Sequence, residues 1–313
     1  MLICIAICTR ERPRLLRNCL ASIAALTPVS GVSTQVLVVE NTTEPECTEI
    51  IEQAFPDDRA LHVHEPRLGL VCARNRALDE ADALGAEWMA FFDDDEVVDP
   101  DWLTTMVRAI EEFHPGSSIL TGPRWKIRTR GASPYLPVQY GFPEHGDKVT
   151  AAQTNNVLIH RSIFGGDGAS ERFDLAYNLS GSEDTEFFMR VARNGVDIRY
   201  VPDAIAYEKL ASDRVTLGYH LARIREYQTN AGRIRRTFMS PTRALASDML
   251  KLNRALVCTI AYTLAAAVVV VLDRDLARRC AGLALQQTAR IAGLVDGIRG
   301  VTPKGYAKVT GKS

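Results

Sequence analysis

Four short apolar runs, separated by three stretches of helical spacing, fill the first ninety-odd residues of the chain. Leu2–Ile7, Gln35–Val39, Leu61–His64 and Trp88–Phe92 read as strands, because branched and aromatic residues in runs this short favour covered, pleated positions. Between them, Arg14–Leu26 repeats apolar residues at helical spacing (Leu15, Leu16, Cys19, Leu20, Ile23), Thr48–Phe55 does so over a shorter length, and Leu70–Leu84 is closed by Gly85. Strands that alternate with helices must run largely parallel, with the helices covering both faces of the sheet. Ligands of such sheets bind beyond the carboxyl ends of the strands. The expected fold is therefore α/β, and Glu40-Asn41 and Asp93–Glu96, both at strand ends, are expected to share one crevice.

The fourth strand runs straight into Asp93-Asp94-Asp95-Glu96. Four adjacent carboxylates repel one another unless something cationic sits among them, and a divalent metal carrying a diphosphate supplies that charge. The other reading is a solvated acidic turn ahead of a helix, since Asp99-Pro100-Asp101-Trp102 is a good helix start. Both stand at this point. There is no GxGxxG and no GxxxxGK[ST], so metal and arginines must handle the phosphates of any nucleotide bound here.

The net charge of −1 conceals two unlike halves. Residues 209–313 carry 18 Lys and Arg against 6 Asp and Glu, so residues 1–208 are strongly acidic. Basic segments suit anionic lipid or nucleic acid. The basic half has few aromatics and no nucleic-acid motif, so nucleic acid is not expected as a partner. Seven cysteines without a CxxC pair or clustered histidines argue against a zinc site and suit a reducing cytosol, as does an N-terminus without a signal-peptide pattern.

Residues 123–150, with Pro123, Pro134, Pro137 and Pro143, read as a long substrate loop, in which Tyr135, Tyr140, Phe142 and His145 are candidates to line an acceptor site or to pack the loop. Val157–Ile159 and Ile198–Val201 are further strands. Between them, Gly181–Phe188 opens a helix that ends near Asn194-Gly195, with Ser182 as the expected cap and Glu183 and Asp184 suiting the helix dipole. His62 and His64 are expected to be structural, and Cys4 and Cys8 to be buried on one face of the first strand. Residues 213–237 form a basic helical stretch. Ala255–Leu272 is an uncharged run that as a helix would reach roughly 27 Å, marginal for a bilayer core. Leu276–Ile298 is amphipathic.

These residues resemble glycosyltransferase family 2 over about two thirds of the chain. Ile5–Pro13 is similar to the family's opening strand and TxxRP turn, and Val36–Asn41 to its second strand, with Glu40 where the family usually has Asp. Gly69–Leu78, with Ala73-Arg74-Asn75, resembles GxxxARNxxL. Phe92–Glu96 followed by Pro100–Leu103 resembles the extended DxD motif, with Glu96 for the common Asp, and Gly181–Arg190 resembles GxEDxxFxxR. Ala206-Tyr207-Glu208, Arg214 and the apolar C-terminal segment add a narrower likeness to bacterial members that build exopolysaccharide on a lipid carrier.

The resemblance implies a GT-A fold, Rossmann-like with a mostly parallel central sheet, over residues 1–208, and a helical, membrane-associating extension over 209–313 with its apolar segment at 255–272. It implies transfer of a sugar, with inversion, from a nucleoside diphosphate (UDP as first choice) to a hydroxyl of a lipid-linked saccharide acceptor. Mg2+ or Mn2+ would neutralise the leaving diphosphate. Asp95 is the expected direct ligand, with Asp93 on metal or ribose and Glu96 beside them. Asp94, Arg74 and Arg10 are assigned to the donor, each Arg having an ion pair as its plainer reading. Asp184 is the expected base, Glu183 positions it or the acceptor, and Glu40 meets the nucleobase. A single span would carry the tail lysines Lys304, Lys308 and Lys312 across the membrane, so a monotopic or peripheral attachment to anionic lipid at the cytoplasmic face of a bacterial inner membrane is favoured over a buried helix. The rival functions are a non-catalytic nucleotide-sugar-binding subunit and a metal-dependent phosphohydrolase.

Overall fold

The computed structural model describes residues 1–127, 143–209 and 212–305. The four expected strands are β1 (Leu2–Thr9), β2 (Ser33–Glu40), β3 (Ala60–His64) and β4 (Trp88–Asp93), and the three helices between them are α1 (Pro13–Ala24), α2 (Thr48–Ala54) and α3 (Leu70–Ala83). There follow β5 (Glu96–Val98), α4 (Trp102–Phe113), β6 (Ile119–Thr121), β7 (Arg124–Ile127), β8 (Val157–His160), the short α5 (Arg161–Phe164), α6 (Glu183–Arg193), β9 (Ile198–Tyr200) and β10 (Ala206–Lys209). Three long helices complete the described chain: α7 (Leu217–Phe238), α8 (Pro241–Val269) and α9 (Arg274–Ile298).

The main sheet has the order β3-β2-β1-β4-β8-β6-β9. β1 is parallel to β2 and β4, and β2 to β3, while β8 runs antiparallel to β4 and β6. The chain moves outward from β1 to β3 and then crosses back to place β4 on β1's other side. That reversal puts a crevice between the ends of β1 and β4, where open α/β sheets bind ligands. A second sheet, β5-β10-β7, stands at this same end, with β10 antiparallel to β5.

The pleat explains the core. Ile3, Ile5 and Ile7 pack with Val36, Val38, Trp88 and Phe92 beneath α1, α2 and α4. Cys4, Ala6, Leu37, Met89 and Phe91 point the other way, against α3, α5 and α6. A strand buried on both faces must be apolar at every position, which is why these segments read as continuous runs rather than alternations.

Two expectations about helix starts are corrected. Ser182 stands before α6 at φ 66°, and its hydroxyl makes no capping bond. Glu183, Asp184 and Glu186 in the first turn complement the helix dipole instead. The acids 93–96 do not cap α4 either: they form the turn from β4 into β5, and Asp94, Asp95 and Glu96 are buried. The solvated-turn reading is thereby excluded.

The apolar run 255–272 lies in a helix that begins earlier, at Pro241, and its last three residues form the turn into α9. α8 and α9 make a helical hairpin, and α9 also packs along α7. Gly232 of α7 meets Gly297 of α9, and a side chain at Gly293 would collide with the Arg225 carbonyl, so these helices touch through bare backbone. Asp248 of α8 is buried and accepts hydrogen bonds from Arg235 and Arg236.

Candidate active site

The site is assembled at the carboxyl ends of β1, β2 and β4. Thr9, last residue of β1, donates its hydroxyl to Asp94 at 2.8 Å, and Arg12 of the following turn reaches the other Asp94 oxygen at 2.9 Å. Asp94 is thus the clamp between β1's turn and β4's turn. Burial raises its pKa, and the Arg12 charge works against that rise.

Asp95 faces two arginines. Arg214 Nη1 lies 2.5 Å from its Oδ2, and Arg12 Nη1 lies 3.8 Å away. Burial, reinforced by the charges of Asp93 and Asp94, still pushes its carboxyl up to about 7. Glu96 begins β5, is buried, and accepts the Asp93 backbone N–H through Oε2 at 2.9 Å. Its Oε1 has no hydrogen-bond donor among the described residues, and burial raises its pKa well above the ordinary range. Asp93 is the accessible member, with 36% of its side chain exposed.

Arg74 joins these acids to α6. It is buried on α3, donates to Glu183, and lies 3.4 Å from Asp93. Burial opposes its charge, but Glu183, Asp93 and Asp184 together hold its pKa above the ordinary value. Glu183 is buried as well. Burial outweighs the Arg74 charge and pushes its carboxyl up to about 7, and its Oε2 has no donor among the described residues. Asp184, next on the helix, is half-buried, and its Oδ1 accepts from the Thr185 N–H at 2.6 Å. Arg74 is thus paired inside the protein with both Glu183 and Asp93.

Glu40 takes a different place from the one expected. Its side chain is fully buried; Oε1 accepts from the Glu46 N–H at 2.8 Å, and Oε2 from the Cys47 N–H and from His62 Nε2 at 2.8 Å. Both oxygens are occupied inside the protein, so Glu40 anchors the loop after β2 rather than presenting a free carboxylate to a nucleobase. His62 and His64 are structural, as expected; His64 Nε2 bonds the Thr42 carbonyl. Arg10 lies 3.8 Å from Glu11, and its Nε is buried without a hydrogen-bond acceptor among the described residues. Tyr135, Tyr140 and Phe142 lie outside the described residues; His145 instead pairs with Glu112, 3.1 Å away on α4.

Further residues support the site, some from the motif stretches and others, Asn156, Asn230 and Arg233, without a sequence signal. Asn41 donates to the carbonyls of Glu65 and Arg67 and accepts the Gly69 N–H, fixing the turn that starts α3. That turn needs glycine: Gly69 has φ 135°, and a side chain there would strike Asn178. Asn75 clamps the Phe173 backbone through both its N–H and carbonyl, and Asn156 bonds Trp102 and the carbonyls of Pro123 and Ala204. Glu208 of β10 faces Glu96 across the small sheet, 3.3 Å from Arg124. On the far side, Asn230 of α7 donates to the carbonyls of Ser180 and Gly181, and Arg233 to Ser180 Oγ and the Ala176 carbonyl. The helical extension therefore holds the loop that leads into Glu183 and Asp184.

Among the described residues no three His, Cys, Asp or Glu side chains form a ready-made metal cage. Mg2+ and Mn2+ take one or two carboxylates and complete their shell with water and substrate phosphate. A partly exposed Asp93 beside a buried Asp95 and a Glu96 whose Oε1 has no donor among the described residues is a donor set of that kind.

Comparison with known proteins agrees with this geometry. Residues 4–166 match the family model described as glycosyl transferase family 2, a stretch that runs from within β1 through β8 and includes the acid turn. The chain is 30% identical over 228 residues, 69% of each sequence, to the succinoglycan biosynthesis protein ExoM of Rhizobium meliloti. Mannosyltransferase PcManGT from Pyrobaculum calidifontis, solved with GDP-Man and Mn2+, superposes with a TM-score of 0.61 at 15% identity over 94% of this chain and 86% of its own. S. aureus TarS 1-349, solved with UDP-GlcNAc, gives 0.55 at 15% identity over 96% of this chain and 93% of its own. The GT-A architecture is common to them, and with its own strand-end acids and family match this chain belongs to glycosyltransferase family 2.

Proposed function

We propose that the protein is a metal-dependent, inverting glycosyltransferase that moves a sugar from a nucleoside diphosphate onto a hydroxyl of a lipid-linked saccharide during polysaccharide synthesis. The observation that carries this reading is the line Asp93–Arg74–Glu183, which ties the donor end of the sheet to a half-exposed Asp184 one residue further on. Inversion in one displacement needs a single carboxylate base opposite the leaving group, and Asp184 is the unshielded carboxylate at the helix start. Glu183 would meet an acceptor hydroxyl through Oε2, which has no donor among the described residues, and it holds Arg74 in place.

Asp95 and Asp93 would hold Mg2+ or Mn2+, with Glu96 behind them. The ion supplies Lewis-acid neutralisation of the leaving diphosphate. Arg10, in the turn after β1, would bind a phosphate oxygen; its Nε has no hydrogen-bond acceptor among the described residues. Glu40 acts on the nucleobase indirectly, by shaping residues 41–47. ExoM's role in succinoglycan biosynthesis supports a polysaccharide product, and the UDP-sugar and GDP-sugar neighbours support a nucleotide-sugar donor. The exposed apolar α8 supports attachment to the membrane at the face where nucleotide sugars and lipid carriers meet.

The Asp184→Asn variant tests the reading. It should lose transfer by at least about 100-fold while binding the donor as wild type does, since a base contributes to the transition state and not to donor affinity. A loss of donor affinity equal to the loss of rate would contradict the assignment.

A further inference from the structure

Asp95 is the deepest acid of the donor site, and it has a cation of its own. Arg214, from the segment just after β10, places Nη1 2.5 Å from Asp95 Oδ2 and 4.0 Å from Glu208 Oε1. The surroundings explain why a cation is needed there. Asp94, Glu96 and Glu208 lie buried beside Asp95, and Oε1 of Glu96 has no hydrogen-bond donor among the described residues. Arg12 reaches Asp95 only at 3.8 Å and is held by Asp94, while Arg124 serves Glu208.

Arg214 holds only Oδ2 of Asp95, but a divalent ion taken up by the same carboxylate would stand beside that guanidinium. Like charges at contact in a buried site repel strongly. We propose that Arg214 is the resident counter-ion of the metal position: it neutralises Asp95 in the ligand-free protein, yields that carboxylate when metal arrives, and turns to the diphosphate that arrives with it. The inference rests on the donor-site reading above and adds a consequence that reading lacks. Metal alone would have to push Arg214 away from Asp95 or sit beside its guanidinium with nothing to compensate the two charges. Metal with a nucleoside diphosphate brings new anionic oxygens for Arg214 to pair with. Metal and nucleotide must then each tighten the other's binding, because the cost of moving Arg214 is met only when both are present.

Mn2+ uptake, read as loss of the free-ion electron paramagnetic resonance signal, tests this without turnover. It is measured with and without UDP or GDP on wild type, Arg214→Gln and Arg214→Lys. Wild type is expected to bind Mn2+ at least about fivefold more tightly with its nucleotide than without. Arg214→Gln is expected to bind Mn2+ alone more tightly than wild type and to gain less from nucleotide, whereas Arg214→Lys, which keeps the charge, stays near wild type. Wild-type affinity for Mn2+ that is equal with and without nucleotide overturns the proposal whether or not the variants fold. So does an Arg214→Gln that binds Mn2+ alone no better than wild type while both still take up Mn2+ with nucleotide. If wild type takes up no Mn2+ with either nucleotide, the metal-dependent donor site itself fails, and the proposal with it.

Discussion

At the scale of single residues, the site is a set of acids made tolerable by arginines. Asp94 has Arg12, Asp95 has Arg214, Glu208 has Arg124, and Glu183 and Asp93 share Arg74. Burial still prevails over these pairings at Glu183, whose carboxyl stands at about 7. A carboxyl whose folded pKa is raised contributes stability that is complete below its ordinary pKa and is lost as pH rises through the folded value. The melting temperature of the ligand-free protein should therefore fall between pH 5 and pH 8, with Asp95 acting in the same direction. In Glu183→Gln that fall should be smaller, by about 1–2 °C for each kcal/mol of linkage lost in a chain of this size. Parallel curves for the two proteins would show that Glu183 does not titrate in this window. The sequence made the acids legible, because a run of four carboxylates after an apolar strand is conspicuous. It did not make their partners legible. Arg10 and Arg12 stand in one turn, and only the alignment of β1 with β4 decides that Arg12 meets Asp94. Glu40 looked available from its place at a strand end, but its carboxylate satisfies backbone N–H groups six and seven residues on, a contact set by the path of the loop.

At the scale of elements, the parallel strands and their helices were readable within a few residues, because strands covered on both faces leave unbroken apolar runs. β5, β7 and β10 were not. Each is three or four residues long, and they form a sheet only because β10 returns to β5 from more than a hundred residues away. The tight seam between α7 and α9 was equally hidden, since glycine inside a helix reads as a weak point rather than a contact. Here it is a contact: Gly293 lies against the Arg225 carbonyl. Gly293→Ala should force the helices apart and cost about 1–3 kcal/mol, as overpacking does. Gly218→Ala, at a helical position with open space around it, should be neutral or slightly stabilising. Chemical denaturation of both variants checks this, and equal stability of the two would mean that the seam is looser than described.

At the scale of the whole molecule, a donor site at one end of a sheet is joined through α7 to a hairpin that leaves much apolar surface uncovered. α8 is the one helix among the described residues long and apolar enough to cross a membrane. Val268, Val271 and Leu272 near its tip are 72%, 86% and 84% exposed. A hairpin returns the chain to the side it came from, which suits insertion into one leaflet with the basic residues left among anionic headgroups. The protein should float with vesicles containing anionic lipid, and Val271→Asp/Leu272→Asp should lose most of that binding. Flotation unchanged in the double variant would place the attachment elsewhere.

The acid turn after β4 as a metal-dependent nucleotide-sugar site is the centre of the account, and calorimetric titration reads it most directly. A panel of UDP-, GDP- and dTDP-sugars would be titrated with Mn2+ and with EDTA into wild type and Asp95→Asn. One nucleotide class is expected to bind wild type with Mn2+, and that binding to be lost with EDTA and in the variant. Binding of the same strength with EDTA, or in folded Asp95→Asn, would contradict it.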